Sequence, residues 1–486
     1  MKAKIKTLLL HLPVNLTDIH DYDNIIQPYG LAVISGFLKS HGCDITLFDA
    51  HAYHNEKDQI IQFIKELNPT ILGLPVYTSQ LPQTIYFLKD LKRVMPDIIT
   101  VVGGPHPTAE SESLLLQNKE VDIAIRNEGE FTMLEMINRL QNNTPLNDVA
   151  GITYRVDGEV KVNSCREFIK DINSLPFADW DSLPMERYWG ANTERKNFAN
   201  IVFSRGCPFS CTFCGAKEAI GRKHRRRSPE SISEEVKLLY EKYGVRELGL
   251  SDSTFNVNKK WVKEVCEALL DLNKPDLVWQ CNIRADLIDQ ESLVLMKKSG
   301  CTKVFVGVES GDDEMLKSMK KGTNCEMIRK CVNLLDKMGF QVFCGFLIGM
   351  PGETKASIQK TMALAKELRK HSCAFSIATP FPGSEFYEIA KQEGFVVEDW
   401  SKYDTYSLSY VTKGLTGKDL QYYYDQIVKN NYLSYTFISN QLRQIRTWLQ
   451  FKVQLRIAMR IIFGRRKTLK KALHAQRESF WQASPT

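Results

Sequence analysis

Short apolar runs alternate with stretches whose apolar positions recur every three to four residues over the first 140 residues of the chain. The runs Ile5–His11, Asp44–Phe48, Ile71–Pro75, Ile98–Val102 and Asp122–Ile125 predict strands. Gly30–His41, Lys57–Leu67, Leu81–Met95, Ser111–Gln117 and Phe131–Gln141 predict the helices between them. Strands that read as continuous apolar runs are buried on both faces, as in a parallel sheet covered by crossover helices. Five such units predict a Rossmann-like, flavodoxin-like α/β domain, whose ligands bind at the carboxyl ends of the strands. Gly103-Gly104 directly follows the fourth strand, where a ligand can approach the backbone closely.

The pattern changes over residues 142–195. Ile152–Val156 and Glu159–Asn163 flank Asp157-Gly158, a hairpin signal, and Leu175-Pro176-Phe177-Ala178-Asp179-Trp180 reads as an extended strap. Strands and helices then alternate again from Phe198 to about Val411 at barrel-like intervals. Asn200–Phe203, Glu247–Leu250, Trp279–Ile283, Lys303–Val308, Val342–Ile348 and Ala374–Ala378 are the expected strands. Ser228 and Pro229 open the first long helix as cap and first residue. Most of the strands run into a polar segment: Ser251-Asp252-Ser253-Thr254, Arg284, Glu309-Ser310-Gly311, Gly349-Met350-Pro351-Gly352-Glu353-Thr354 and Thr379-Pro380. Polar strand ends are what the active face of a (β/α) barrel requires. The expected organisation is residues 1–141, a linker over 142–195, a partial TIM-type barrel over 196–411 and a helical region over 412–486.

Composition narrows the class. Of 486 residues, 43% are hydrophobic and 25% charged, which fits a packed protein of two or three domains. No run approaches the ~18 apolar residues of a spanning helix. The basic start Met1-Lys2-Ala3-Lys4 leads into the first strand rather than a signal peptide. The net charge of +7 comes mostly from the tail, where no acidic residue stands between Asp425 and Glu478 and Lys452, Arg456 and Arg460 fall on one helical stripe. Such a helix either lies on an anionic membrane surface or packs on the barrel. Nothing in the body reads as a nucleic-acid site. Arg225-Arg226-Arg227 either pairs with phosphate or carboxylate groups or is a solvated loop.

Twelve cysteines, mostly scattered through buried segments, suit a reducing cytoplasm. Three are different: Cys207, Cys211 and Cys214 sit at Cys-x3-Cys-x2-Cys spacing on the Gly/Pro-bearing run Arg205–Cys214. Thiolates so placed can hold a [4Fe–4S] cluster, which normally takes four. Three leave one iron open for another ligand. The other cysteines show no second cluster spacing.

The triad, with Phe213 before its last cysteine, resembles the radical S-adenosylmethionine superfamily. The resemblance makes Cys207, Cys211 and Cys214 the cluster ligands. It implies that S-adenosylmethionine chelates the open iron and is reductively cleaved, and that the resulting 5′-deoxyadenosyl radical abstracts a hydrogen atom. The strand-end segments also resemble that family's recurring motifs. By that resemblance Phe213, Arg284, Glu309, Ser310, Gly349, Pro351 and Gly352 surround S-adenosylmethionine, with Arg284 and Glu309 near its ribose or methionine part and the Gly349–Thr354 loop near adenine. Ser253 departs from the pattern, standing where many relatives have a second acidic residue after Asp252.

Gln27-Pro28-Tyr29-Gly30-Leu31-Ala32, Phe48-Asp49, Gly103-Gly104-Pro105-His106 and Asn127-Glu128-Gly129-Glu130 occur in the order seen in cobalamin-binding domains that precede many radical S-adenosylmethionine domains, and resemble them. That resemblance implies a corrinoid held at the strand ends, with Gly103, Gly104, Glu128 and Gly129 among its contacts. His20, in Asp18-Ile19-His20, is a candidate cobalt ligand, although Asp23 stands where the familiar corrinoid motif has glycine. Asp49-Ala50-His51 has a similar look but follows the second strand and is set aside as coincidence. The expected protein is a cobalamin-dependent radical enzyme that methylates an unactivated carbon. The alternatives are a non-methylating cyclisation, rearrangement or oxidation, or a non-catalytic cluster and corrinoid carrier or sensor. No side chain is assigned as the catalytic acid or base. Expected partners are a small-molecule, lipid or peptide substrate and an electron donor such as flavodoxin or ferredoxin. A cytoplasmic location is expected, with peripheral membrane contact through the tail as an option.

Overall fold

The structure is a computed structural model that describes residues 4–444 apart from 14–24, 191–192, 196, 394 and 398, together with residue 451. His20 and the basic stripe Lys452, Arg456 and Arg460 lie outside the described residues. Strands β1 (Lys6–His11), β2 (Asp44–Asp49), β3 (Ile71–Pro75), β4 (Ile99–Gly103) and β5 (Ile123–Ile125) run parallel in the order β2-β1-β3-β4-β5. Helices α1 (Tyr29–Ser40), α2 (Lys57–Leu67), α3 (Leu81–Val94), α4 (Pro105–Gln117) and α5 (Glu130–Gln141) connect and follow them. Alternation along β1 shows why the run is apolar throughout: Leu8 and Leu10 pack with Ile60 and Phe87, while Leu9 packs on the opposite face with Phe37 and Met133.

Two expectations need correction here. Helix α4 begins at Pro105, not Ser111, so Gly103 ends β4 and Gly104 leads directly into the helix. Gly104 takes φ +106, Pro105 follows as the first helical residue, and a kink at Glu110 hides the first half from a periodicity reading. The hairpin β6 (Ile152–Val156) and β7 (Glu159–Val162) does not stand apart, because β6 pairs antiparallel with β5 and extends the sheet to seven strands.

The second sheet is parallel throughout and in chain order: β8 (Phe198–Ile201), β11 (Glu247–Leu250), β12 (Val278–Ile283), β13 (Cys301–Glu309), β14 (Gln341–Ile348) and β15 (Ser372–Ile377). Between β8 and β11 the chain makes a two-stranded antiparallel pair, β9 (Ser204–Arg205) and β10 (Arg225–Arg226), enclosing α6 (Ala216–Ile220). Helices α7 (Pro229–Lys242), α8 (Lys259–Asp271), α9 (Gln290–Lys298), α10 (Asp313–Ser318), α11 (Cys325–Lys337) and α12 (Lys355–Glu367) complete an open (β/α) barrel, and α13 (Glu385–Glu393), α14 (Gly417–Tyr432) and α15 (Tyr435–Gln444) follow. Ser228 Oγ accepts from Ser231 N at 3.1 Å, the cap expected for α7.

The two sheets share one apolar core that runs from Leu9 and Phe37 through Trp180 to Ile201 and Val236. The strap residue Trp180 is buried and donates from Nε1 to Glu235 Oε1 at 2.8 Å. Gln27 closes the exposed edge of β8: its Nε2 donates to Phe198 O at 2.6 Å and its Oε1 accepts from Asn200 N at 3.0 Å. Among the described residues no helix is long and apolar enough to cross a membrane.

Candidate functional site

Strand β9 delivers the chain to Gly206, whose φ of +94 and whose contact with the Lys223 carbonyl leave no room for a Cβ. The cysteine loop that follows is held by its backbone. Cys207 N donates to Gly221 O at 3.0 Å, Thr212 N to Met319 O at 3.0 Å, Phe386 N to Thr212 O at 2.8 Å and Cys214 N to Cys211 O at 3.1 Å. All three thiols are unpaired and half-buried. Burial pushes the Cys214 thiol up, and the neighbouring Cys211 and Cys207 add to the rise. Among the described residues no group of three or more His, Cys, Asp or Glu side chains is set to hold a single metal ion. A cubane meets each thiolate at a different iron, and three unpaired thiols on one anchored loop fit that demand.

Cations gather on this loop. The Arg284 guanidinium lies over the Phe209 ring, 3.6 Å from its centroid, and Nη1 stands 3.7 Å from Cys211 Sγ. Its other arms bond Asp286 and the Lys321 carbonyl. Lys321, which the sequence did not single out, pairs with Glu309 Oε1 at 2.7 Å and sits 5.9 Å from the Phe213 ring centroid. Glu309 holds φ +63, a left-handed conformation that side chains rarely adopt, at the end of β13. Ser310 instead turns inward, its hydroxyl 3.1 Å from Thr361 Oγ1 and accepting from Asp312 N.

At the end of β14, Gly349 and Gly352 both have positive φ, and a Cβ on Gly349 would meet Leu420 Cδ2 at 2.8 Å. Gly352 N donates to Thr412 Oγ1 at 3.0 Å, with Pro351 half-buried beside it. Glu353 organises the turn, one oxygen accepting from Gly349 N and Met350 N, and burial pushes its carboxyl up to about 7.

A second group lies behind the loop, in which the strand-end residue Asp252 meets Ser204 and His224, two residues that the sequence did not single out. Asp252, at the end of β11, accepts from Phe203 N at 2.9 Å and from Ser204 Oγ, and Ser204 Oγ lies 3.0 Å from His224 Nε2. Burial pushes Asp252 up to about 6 and His224 down to about 4. Arg225 and Arg227 are buried and paired with the protein's own carboxylates, Glu128 and Glu235, whereas Arg226 between them is exposed. Only spatial neighbours could have said so.

On the first sheet, a Cβ on Gly104 would come within 3.2 Å of Val76 O, whereas one on Gly103 would stand 3.9 Å from Ile125 O. Gly129 packs on Ile34. Glu128, expected at the corrinoid, has its carboxylate turned across to the barrel, where it meets Arg205 and Arg225. Asp49 is fully buried, holding His11 Nδ1 at 2.9 Å, Tyr188 OH at 2.7 Å and His51 N at 3.1 Å. A cavity of about 430 Å3 opens between the sheets. Tyr77, Thr78 and Pro105 line it from the ends of β3 and β4, and Gly215, Phe381 and Tyr403 from the barrel side.

Known proteins match both halves. The B12 binding domain family matches residues 17–137 and the radical SAM superfamily matches residues 201–365. An uncharacterized methyltransferase of Pyrococcus horikoshii is 28% identical over 434 residues, covering 89% of this chain and 93% of the relative. An anaerobic magnesium-protoporphyrin IX monomethyl ester cyclase of Rubrivivax gelatinosus is 30% identical over 388 residues, covering 78% and 68%. Cytidylyl-2-hydroxyethylphosphonate methyltransferase of Streptomyces wedmorensis is 27% identical, covering 82% and 84%. Among solved structures, the cobalamin-dependent radical enzyme OxsB with aqua-cobalamin and S-adenosylmethionine aligns with TM-score 0.73 at 17% identity, over 94% of this chain and 71% of that one. The methyltransferase TsrM of Kitasatospora setae with cobalamin and a [4Fe–4S] cluster aligns with TM-score 0.69 at 17% identity, over 89% of each chain. With a corrinoid-type sheet and a cluster-type barrel meeting at one cavity, the chain belongs to the cobalamin-dependent radical S-adenosylmethionine enzymes, whose cofactors are a [4Fe–4S] cluster, S-adenosylmethionine and cobalamin.

Proposed function

We propose that the chain is a methyltransferase acting on an unactivated carbon of a small molecule. One observation carries the reading: the segments leaving β3 and β4 of the first sheet and β15 of the second line the same cavity, with Gly215, next to Cys214, in its wall. When bound, the cluster supplies the electron that cleaves S-adenosylmethionine, and cobalamin supplies a carrier for the methyl group.

The chain's own residues then have distinct tasks. Cys207, Cys211 and Cys214 hold the cluster. The ion pair Lys321–Glu309 offers one group of each sign to the carboxylate and amino groups of S-adenosylmethionine, and Arg284 places a further cation beside Cys211. Gly349, Pro351 and Gly352 let the adenine approach backbone, with Phe213 at its side. Gly103 and Gly129 give the corrinoid access to the strand ends. In this reading residues 1–141 carry the corrinoid, 142–195 connect and 196–411 form the cluster barrel; the helical region expected over 412–486 lies mostly outside the described residues beyond position 444. A one-electron donor of the flavodoxin or ferredoxin type is required. Twelve unpaired thiols suit a reducing compartment.

The Pyrococcus and Streptomyces relatives support methyl transfer by their names. The Rubrivivax cyclase favours a second reading, a radical ring closure without methylation. Products separate the two. Methylation consumes a second S-adenosylmethionine and releases S-adenosylhomocysteine; ring closure releases 5′-deoxyadenosine and methionine only. Anaerobic incubation of reconstituted enzyme with methyl-labelled S-adenosylmethionine, cobalamin and cell extract should label one metabolite. Substrate turnover without S-adenosylhomocysteine would favour the cyclase reading.

A further inference from the structure

Four charged side chains meet where the two sheets join. Arg205 Nη1 donates to Glu128 Oε1 at 2.9 Å, and Nη2 to Glu130 Oε1 at 2.7 Å. Arg225 Nη1 donates to Glu128 Oε2 at 2.7 Å. The side chains are 16%, 8%, 4% and 4% exposed for Arg205, Glu128, Glu130 and Arg225. Two cations and two carboxylates this buried leave no net charge, and removing one partner would strand another in low dielectric.

Their placement in the chain matters more than their strength. Glu128 and Glu130 flank Gly129 in the turn from β5 into α5, at the strand ends of the first sheet. Asn127 before them holds φ +62 and donates its amide to Thr108 Oγ1 at 2.9 Å, so the turn is rigid. Arg205 stands two residues before Cys207. Arg225 lies opposite it in the β9–β10 pair and donates Nη2 to Ile220 O at 2.7 Å. The next carbonyl, Gly221 O, receives Cys207 N. Glu128 therefore reaches Cys207 by two routes, through Arg205 and through Arg225, Ile220 and Gly221.

We propose that this buried charge cluster is a latch that sets the position of the cysteine loop against the strand ends of the first sheet, with Arg205 and Glu130 as positioning residues. The latch is more specific than apolar packing because a bidentate guanidinium has one good geometry on its carboxylates, whereas an apolar face slides. Its consequence rests on the methyl-transfer reading: a loosened latch leaves S-adenosylmethionine cleavage running while the methyl carrier is out of register.

The first test uses the full chain without cofactors. Hydrogen exchange in Glu130→Gln should accelerate at least threefold at residues 126–130 and 204–221 together, with strands β3 and β14 unchanged. In reconstituted enzyme the ratio of 5′-deoxyadenosine to S-adenosylhomocysteine should rise at least threefold in Glu130→Gln and return towards wild type in Glu130→Asp. Acceleration on one side only, or an unchanged ratio at normal iron content, overturns the latch. So does loss of folding or iron in both Glu130→Gln and Arg205→Lys, which would make the cluster a folding element alone. A wild-type enzyme that turns over without S-adenosylhomocysteine sinks the methyl-transfer reading instead, and the exchange result still judges the latch.

Discussion

Arg284 covers the face of Phe209 while reaching towards Cys211 Sγ, so one side chain stacks on the cysteine loop and brings positive charge to one of its sulfurs. A cation over an aromatic face orders both groups. Hydrogen bonds to cluster sulfurs raise the reduction potential by stabilising the more negative, reduced state. Arg284→Met should keep iron but lower the potential by on the order of tens of millivolts. An electron-paramagnetic-resonance redox titration reads this directly, and an unchanged potential would place Arg284 with S-adenosylmethionine alone.

Replacing Cys207, Cys211 or Cys214 singly by Ala should remove the iron-dependent absorbance and abolish S-adenosylmethionine cleavage. In the cofactor-free chain, where the half-buried thiols form no disulfide, each substitution should cost about 1 kcal/mol or less. A variant that keeps its iron would remove that cysteine from the ligand set.

The two glycines where β4 ends should respond differently. Gly104→Ala meets a positive φ and the Val76 carbonyl, and should destabilise the chain by about 1–3 kcal/mol in denaturant titration. Gly103→Ala faces only ordinary contacts in the protein. It should melt close to wild type yet bind cobalamin more weakly, because its methyl group intrudes on the ligand's side. Equal cobalamin retention would show that Gly103 serves the turn and not the corrinoid.

Burial holds the Asp252 carboxyl at about 6 against an ordinary 3.8, with Ser204, Phe203 N and Arg227 opposing the rise. The fold disfavours the ionised form. Its stability contribution is therefore intact at low pH and is lost as pH rises from about 4 through about 6, a change of about 3 kcal/mol. Asp252→Asn keeps an acceptor for Phe203 N and flattens that dependence. His106 and His224, held neutral by burial, act with the opposite sign in the same window. The difference between wild type and Asp252→Asn in urea midpoint from pH 4.5 to 7 isolates Asp252, and parallel curves would contradict its raised value.

Much of the fold was legible because its signals are local. Lys57–Leu67 and Ile71–Pro75 were read at their observed bounds, since an amphipathic helix and a doubly buried strand each carry a distinct period. Helix α4 was read short because its kink at Glu110 breaks that period. β8 was read two residues late, because Val202 and Phe203 continue the apolar run while Phe203 N leaves the ladder to bond Asp252.

The site divides in the same way. Spacing alone put three cysteines on one loop, and a polar residue at each strand end marked the barrel's active face, because both follow from a few consecutive residues. The partners of those residues did not. Lys321 lies twelve positions from Glu309, and Glu128 lies 77 from Arg205. A charge in sequence can pair with any opposite charge, and burial, which decides which pairing persists, is a property of the assembled core. The sequence thus determined the two α/β units, the thiol triad and the cofactors they imply. Tertiary structure alone decided that Glu128 turns to the barrel, that Arg225 is buried rather than solvated, and that the segments leaving β3, β4 and β15 share one cavity.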